Sequence, residues 1–171
     1  IDKKIQTIRQ TAKSIPINMD SCGINIGQLQ ESNANIVHVS PAHHFPTGIV
    51  MPVKRRQELL HWAYKKENRY IIEDDYDSEF RFNGKPLPTL QGTDSASKVI
   101  YMNTFSKTLS PSFRISYMVL PQSLISLFEK KLGFYSCQVS SFEQYTLAKF
   151  IQDGNYEKHI NRMKNYYRSL R

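Results

Sequence analysis

Two stretches of this sequence each set an apolar run against a group of reactive side chains. In YIIEDDYDSEF, Tyr70 to Phe80, the run ends in five acidic residues within seven positions, with Asp74, Asp75 and Tyr76 in succession. In VIYMNTFSKTLSPSFR, Val99 to Arg114, the run ends in Thr104, Ser106, Lys107 and Arg114. One supplies carboxylates and a phenol; the other supplies hydroxyls, a primary amine and a guanidinium. A carboxylate holds a heterocyclic nitrogen in its cationic form, because a nearby negative charge favours the charged state. A lysine amine condenses with an aldehyde, and hydroxyls with an arginine fork suit a phosphate. Pyridoxal phosphate asks for all of these together. On this reading Lys107 forms the Schiff base, Asp74 faces the pyridine nitrogen and Tyr76 faces the phenolic O3′ oxygen. Thr104, with Ser106 as second choice, and Arg114 hold the phosphate. Taken alone, the acidic cluster reads as a capped loop or as surface ion pairs, since carboxylates after a strand are common turn formers. The second cluster shifts that balance.

These groups meet only if the elements around them bring the two runs to one edge. The sequence reads as a short helix over DKKIQTIRQTAK, a strand-like IPINMD turning at Cys22-Gly23, and a second apolar run, NIVHVS, ended by the loop PAHHFPTG. PVKRRQELLHWAYKKE follows as a helix with Pro52 at its first position and Val53, Leu59, Leu60, Ala63 and Tyr64 on one face. RYIIEDDY, KVIYMNT and RISYMVLP read as short buried strands, the first two joined by a Pro/Gly-rich connection through NGKPLPTLQG. SLISLFEKKLGF is helical, and so is the region from Ser141 to the end, interrupted near Asp153-Gly154. Strands alternating with helices give an α/β fold with a mostly parallel sheet flanked by helices, and ligands of such sheets gather at the carboxyl ends of the strands. Side chains alternate along a strand, so Asp74 and Tyr76 point one way and Asp75 the other.

Composition narrows the field. The 171 residues, 40% hydrophobic and 12% aromatic, suit one domain with a real core. No apolar run is long enough to span a membrane, and the first residues lack a signal peptide's apolar stretch. Cys22 and Cys137 lie far apart without metal-ligand spacing, so neither a disulfide framework nor a zinc site is expected, and a cytoplasmic setting is the default. The net charge of +8 is spread along the chain; its densest run, KHINRMKNYYRSLR, reads as a solvated helix face. No recognition helix, RNA-binding aromatic motif or zinc finger supports a nucleic-acid module.

Three blocks in order, SPAHHFPTGIVMPVKRRQELLHWA, YIIEDDYDSEFRF and VIYMNTFSKTLSPSFRISYMVLP, resemble the aminotransferase-like domain of MocR-type regulators, the GabR-like branch of the GntR superfamily. They are similar, more loosely, to fold-type I aminotransferases. The resemblance implies part of the large domain of a pyridoxal phosphate-dependent transferase of fold type I, over 1–152, with 153–171 a helix leading toward a small domain. It places the Schiff-base lysine at Lys107, the ring-nitrogen aspartate at Asp74, the O3′ tyrosine at Tyr76, and the phosphate groups at Thr104 and Arg114. It also implies a homodimer, a small amino compound as effector or substrate, and DNA contact only through a winged-helix domain outside this chain.

One departure bears on activity. Aminotransferases usually carry Asn-Pro-Thr-Gly where this chain reads Phe45-Pro46-Thr47-Gly48, and the missing Asn normally helps bind O3′ or the substrate. His43 and His44 read as loop histidines packed near the ligand edge. The resemblance further places the glycine-bearing phosphate loop, the aromatic that stacks on the ring and the substrate-carboxylate arginine outside these 171 residues. Two functions stay open. One is a regulator domain that senses an amino compound through an external aldimine; the other is a fragment of a working aminotransferase using Lys107 as Schiff-base partner and proton shuttle.

Overall fold

The computed structural model describes residues 12–80 and 87–170. The helix expected over 2–13 lies outside them, save for its last two positions, which are not helical. The strand expected in IPINMD shrinks to β1 (Met19–Asp20), an antiparallel partner of β2 (Gly23–Ile24), with Pro16 unable to donate to a ladder. Gly23 is needed at the turn: its φ is +107°, and a Cβ there would lie 3.3 Å from Met51 Cε. Helix α1 (Ile26–Glu31) starts where the Asn25 side chain accepts from Gln28 N–H, at 2.9 Å.

The main sheet has the order β3-β4-β5-β6. Strands β3 (Ile36–Val39), β4 (Tyr70–Asp74) and β5 (Val99–Thr104) run parallel, while β6 (Ser116–Val119) is antiparallel to β5. The mostly parallel reading therefore holds for three strands. β6 reverses because no helix intervenes: the chain turns straight back after Thr104, and Phe105 N–H bonds Ile115 O at 2.9 Å. The expectation that RISYMVLP forms a buried strand is not met, since all four β6 residues are exposed on an edge strand whose apolar side chains are only partly covered.

Helix α2 (Val53–Tyr64) supplies most of the cover for one face. Pro52 stands one place earlier than expected, at the N-cap. Leu59, Trp62 and Ala63 are fully buried, with Leu29, Ile71 and Leu90 beside them, each large apolar side chain contributing about 1.5–3 kcal/mol. Of the face expected from periodicity, Val53 is exposed at the helix start, and Trp62 takes the central place. Arg55 ties the opening hairpin to this helix, donating to both Asp20 oxygens at 3.2 and 2.9 Å and holding that carboxyl below its usual range.

The connection from β4 to β5 ends in the short helix α3 (Leu90–Thr93), capped by Thr89. After β6 come α4 (Gln122–Leu132), none of whose residues is buried, and α5 (Ser141–Gln152), opened by a Ser140/Glu143 capping box. Gly154, at φ +70°, breaks the helix where the sequence implied and starts α6 (Asn155–Ser169). Tyr156 of α6 packs edge-on against Phe105, and Tyr167 against Phe80. None of the described helices is long and apolar enough to cross a membrane.

Candidate cofactor site

Parallel pairing of β4 and β5 sets Asp74 opposite Met102 and brings Thr104 to the same carboxyl edge. Antiparallel pairing continues the row, with Met102 opposite Met118 and Thr104 opposite Ser116. This is the open face of the sheet. The face on the other side carries Ile71, Glu73 and Val99 under α2.

Burial alternates along β4, and it separates the two aspartates. Asp74 has a side chain 21% exposed, and its carboxylate lies 3.4 Å from His38 Nε2, two positions back on β3. Asp75 turns inward and is 2% exposed. It accepts from Tyr101 O–H at 2.8 Å and Ser78 O–H at 2.7 Å, and its N–H extends the ladder to Met102 O. Asn103 continues the network by donating to Tyr101 Oη at 3.0 Å and Glu79 Oε1 at 3.2 Å. Burial pushes the Tyr101 phenol and the Glu79 carboxyl up. The acidic cluster is thus two systems, one facing outward and one buried.

Tyr76 leaves β4 beside the PAHHFPTG loop. Its hydroxyl donates to His43 O at 2.9 Å, and its ring stacks on the His43 imidazole with centroids 6.3 Å apart. His43 Nδ1 meets Asp77 Oδ2 at 2.5 Å. Burial, then the charges of Asp77 and Asp74, raise the phenol's pKa. His44 pairs with Thr47 Oγ1 at 2.9 Å, so both histidines hold the loop, in keeping with the packing role read from the sequence. The Phe45-Pro46 bond is cis, and Phe45 is exposed.

The turn after β5 carries the remaining groups. Ser106 O–H donates to Phe113 O at 2.8 Å, which closes the turn. Thr104 Oγ1 makes only longer bonds, to Ser106 Oγ at 3.2 Å, Ile115 O at 3.3 Å and Ser106 N–H at 3.3 Å. Lys107 and Arg114 are exposed and make no hydrogen bond or ion pair with the described residues. The residue types present at the ends of β4 and β5 and in the connection that follows, an exposed amine, a partly exposed carboxylate, a phenol, a hydroxyl and a guanidinium, fit the chemistry of pyridoxal phosphate. Tyr76 must give up its bond to His43 O before it can donate elsewhere.

Sequence reasoning missed the buried pair that sets these loops. Arg56 donates to Met51 O at 3.0 Å, Pro88 O at 3.0 Å and Pro41 O at 2.9 Å, with Glu73 Oε1 3.9 Å away. Glu73 in turn caps α3 by accepting from Leu90 and Gln91 N–H at 2.8 and 2.9 Å. Their signal was an arginine and a glutamate on otherwise apolar faces.

The family model for aminotransferase class I and II matches residues 3–171. This chain belongs to that family. Pyridoxal phosphate is the cofactor of class I and II aminotransferases, which agrees with the donor set at the sheet edge. Among its relatives is the uncharacterized HTH-type transcriptional regulator YdeL of Bacillus subtilis, 48% identical over 157 residues that cover 92% of this chain and 34% of the regulator. The probable rhizopine catabolism regulatory protein MocR of Rhizobium meliloti is 36% identical, over 91% of this chain and 31% of its own. The solved kynurenine aminotransferase of Pyrococcus horikoshii superposes with a TM-score of 0.80 at 30% identity, over 91% of this chain and 40% of that enzyme. The aminotransferase-like chain thus spans about a third of the length of the regulators it matches.

Proposed function

We propose that this chain is the central part of a pyridoxal phosphate-binding, effector-sensing domain of a MocR-type transcriptional regulator, with a small amino compound as effector. What supports the cofactor half is the β4/β5 register, which brings the ends of both strands, with Asp74 and Thr104, to one carboxyl edge; Tyr76 follows the first strand and Lys107 and Arg114 follow the second. Relatives named as transcriptional regulators at 48, 45 and 36% identity support the regulatory half, as does Phe45 where aminotransferases usually carry Asn.

When bound, the cofactor supplies an electron sink and an aldehyde for amine exchange. Each residue has a part in holding it. Lys107 offers its amine to the aldehyde. Asp74 keeps the ring nitrogen charged, and His38 at 3.4 Å holds the carboxylate in place. Tyr76, once released from His43 O, donates to the phenolic oxygen. Thr104 and Arg114 take the phosphate, and Ser106 keeps the turn closed around Lys107. In the whole protein this domain dimerises, works in the cytoplasm, and reaches DNA through a winged helix outside these residues, with 153–171 leading toward a small domain.

The second reading, a working aminotransferase, is favoured by the Pyrococcus superposition. Spectroscopy of the full-length protein with pyridoxal phosphate and a panel of amino acids and amines separates the two. A spectral shift without turnover identifies a sensor, and conversion to the pyridoxamine form identifies an enzyme. Lys107→Ala is expected to abolish the borohydride-reducible adduct. Mapping of that adduct by peptide mass to another lysine would overturn the site.

A further inference from the structure

The turn that presents Lys107 is gripped from α6. Thr108, the next residue, is 1% exposed, and its carbonyl lies 2.9 Å from His159 Nε2. The second ring nitrogen fixes the direction of that bond. Arg162 places Nη2 3.2 Å from His159 Nδ1, and a guanidinium has donors only, so Nδ1 accepts. The ring hydrogen therefore sits on Nε2 and points at Thr108 O. Tyr156, one turn earlier on α6, packs its ring edge-on 5.8 Å from Phe105, and the Thr108 hydroxyl donates to Phe105 O at 3.3 Å. Ile160, the residue after His159 on α6, is buried. Phe105 and Thr108 are thus held from behind while Lys107, between them, faces outward.

We propose that His159, oriented by Arg162, is a positioning residue for Lys107: its hydrogen bond to Thr108 O fixes the turn so that the amine meets the cofactor's aldehyde in one geometry. The inference rests on the reading of Lys107 as the attachment point. His159 touches neither the amine nor the cofactor and acts through the backbone. Misplacement of a reacting group is costly in rate, so loosening the turn slows attachment even where every cofactor contact survives.

The test uses the full-length protein freed of cofactor. Pyridoxal phosphate is added, Lys107 adduct formation is followed by absorbance and borohydride trapping, and amide exchange is read over 105–109. If the wild-type protein forms no adduct at Lys107, the attachment reading itself fails. With that in place, His159→Leu removes the donor and is expected to slow attachment about tenfold, about 1.4 kcal/mol in barrier, and to speed exchange across the turn. His159→Gln keeps an N–H at similar reach and is expected to stay within about threefold of wild type. Exposed Arg162→Met frees the imidazole tautomer and is expected to slow attachment partway, without a drop in Tm. Wild-type attachment in His159→Leu overturns the proposal, as does a Gln variant as slow as the Leu variant, which would mean packing alone. Should His159→Leu not fold, Arg162→Met decides, and a wild-type rate there overturns it.

Discussion

Adjacent aspartates at the end of β4 sit in opposite environments, and their chemistry divides accordingly. Asp74 is partly exposed beside His38, while Asp75 is sealed against Tyr101 and Ser78. Asp74→Asn in the full-length protein is expected to change the cofactor's absorbance and blunt its response to amino compounds, with Tm nearly unchanged. Asp75→Asn is expected to do the reverse. It leaves buried hydroxyls with a poorer acceptor, at about 1–3 kcal/mol of stability by urea denaturation. Equal effects of both changes on the spectrum would refute the alternation. Glu79 allows a pH test within the same buried network. The pKa of its carboxyl is raised by burial, and its Oε2 is buried without a hydrogen bond among the described residues. A raised folded-state pKa means that the native state holds its proton more tightly than the unfolded chain, so stability falls as pH rises from the usual carboxyl range through the raised value. Glu79→Gln imitates the neutral acid. Its Tm is expected to exceed that of wild type at neutral pH, with the gap closing as pH falls toward 4.5, the group's ordinary value. A gap that widens in acid would count against it.

The elements around the site depend on one buried cation more than on any surface pair. Arg56 gathers three carbonyls from Pro41, Met51 and Pro88, so the loop after β3, the entry to α2 and the approach to α3 share a single guanidinium. Arg56→Met strands those carbonyls and leaves Glu73 without its neighbouring positive charge. The expected loss is about 3–5 kcal/mol, measured as a shift in urea midpoint; a loss under about 1 kcal/mol would show that water replaces the guanidinium. This pair also marks where sequence reading stopped. Apolar periodicity was enough for β4, β5, α2 and the break at Gly154, because each rests on local pattern or on one backbone conformation. The exposed edge strand β6 was misread, since its apolar residues look the same in sequence whether or not anything covers them. The reactive groups at the two strand ends were legible from residue type. The groups that position them were harder to read, because Arg56, Glu73 and His159 act through long-range carbonyl and N–H contacts: Arg56 and Glu73 show only as charges on otherwise apolar faces, and His159 lies in a run that reads as a solvated helix face.

At the scale of the whole molecule, the candidate site lies on a sheet face open to solvent. Ile36, Met102 and Met118 on that face are 57, 37 and 43% exposed, and the β6 edge is exposed along its length. The curated regulators are about three times as long as the segment matched here. The 171-residue chain by itself is therefore expected to bind pyridoxal phosphate far more weakly than the full-length protein. Its contacts come from the sheet and one turn, so the ring is held from one side only. Condensation with Lys107 needs only an amine and access, which the exposed side chain provides, but a defined ring orientation needs preorganised contacts on both faces. Each tenfold in affinity corresponds to about 1.4 kcal/mol, so the loss of several contacts lowers affinity by orders of magnitude. The same exposed edge and apolar face favour self-association, which sedimentation should show as species larger than the 19.9 kDa monomer. Titration of the isolated chain with pyridoxal phosphate measures the outcome: a submicromolar Kd would show that one sheet edge is sufficient to hold the cofactor and that the rest of the protein serves another purpose.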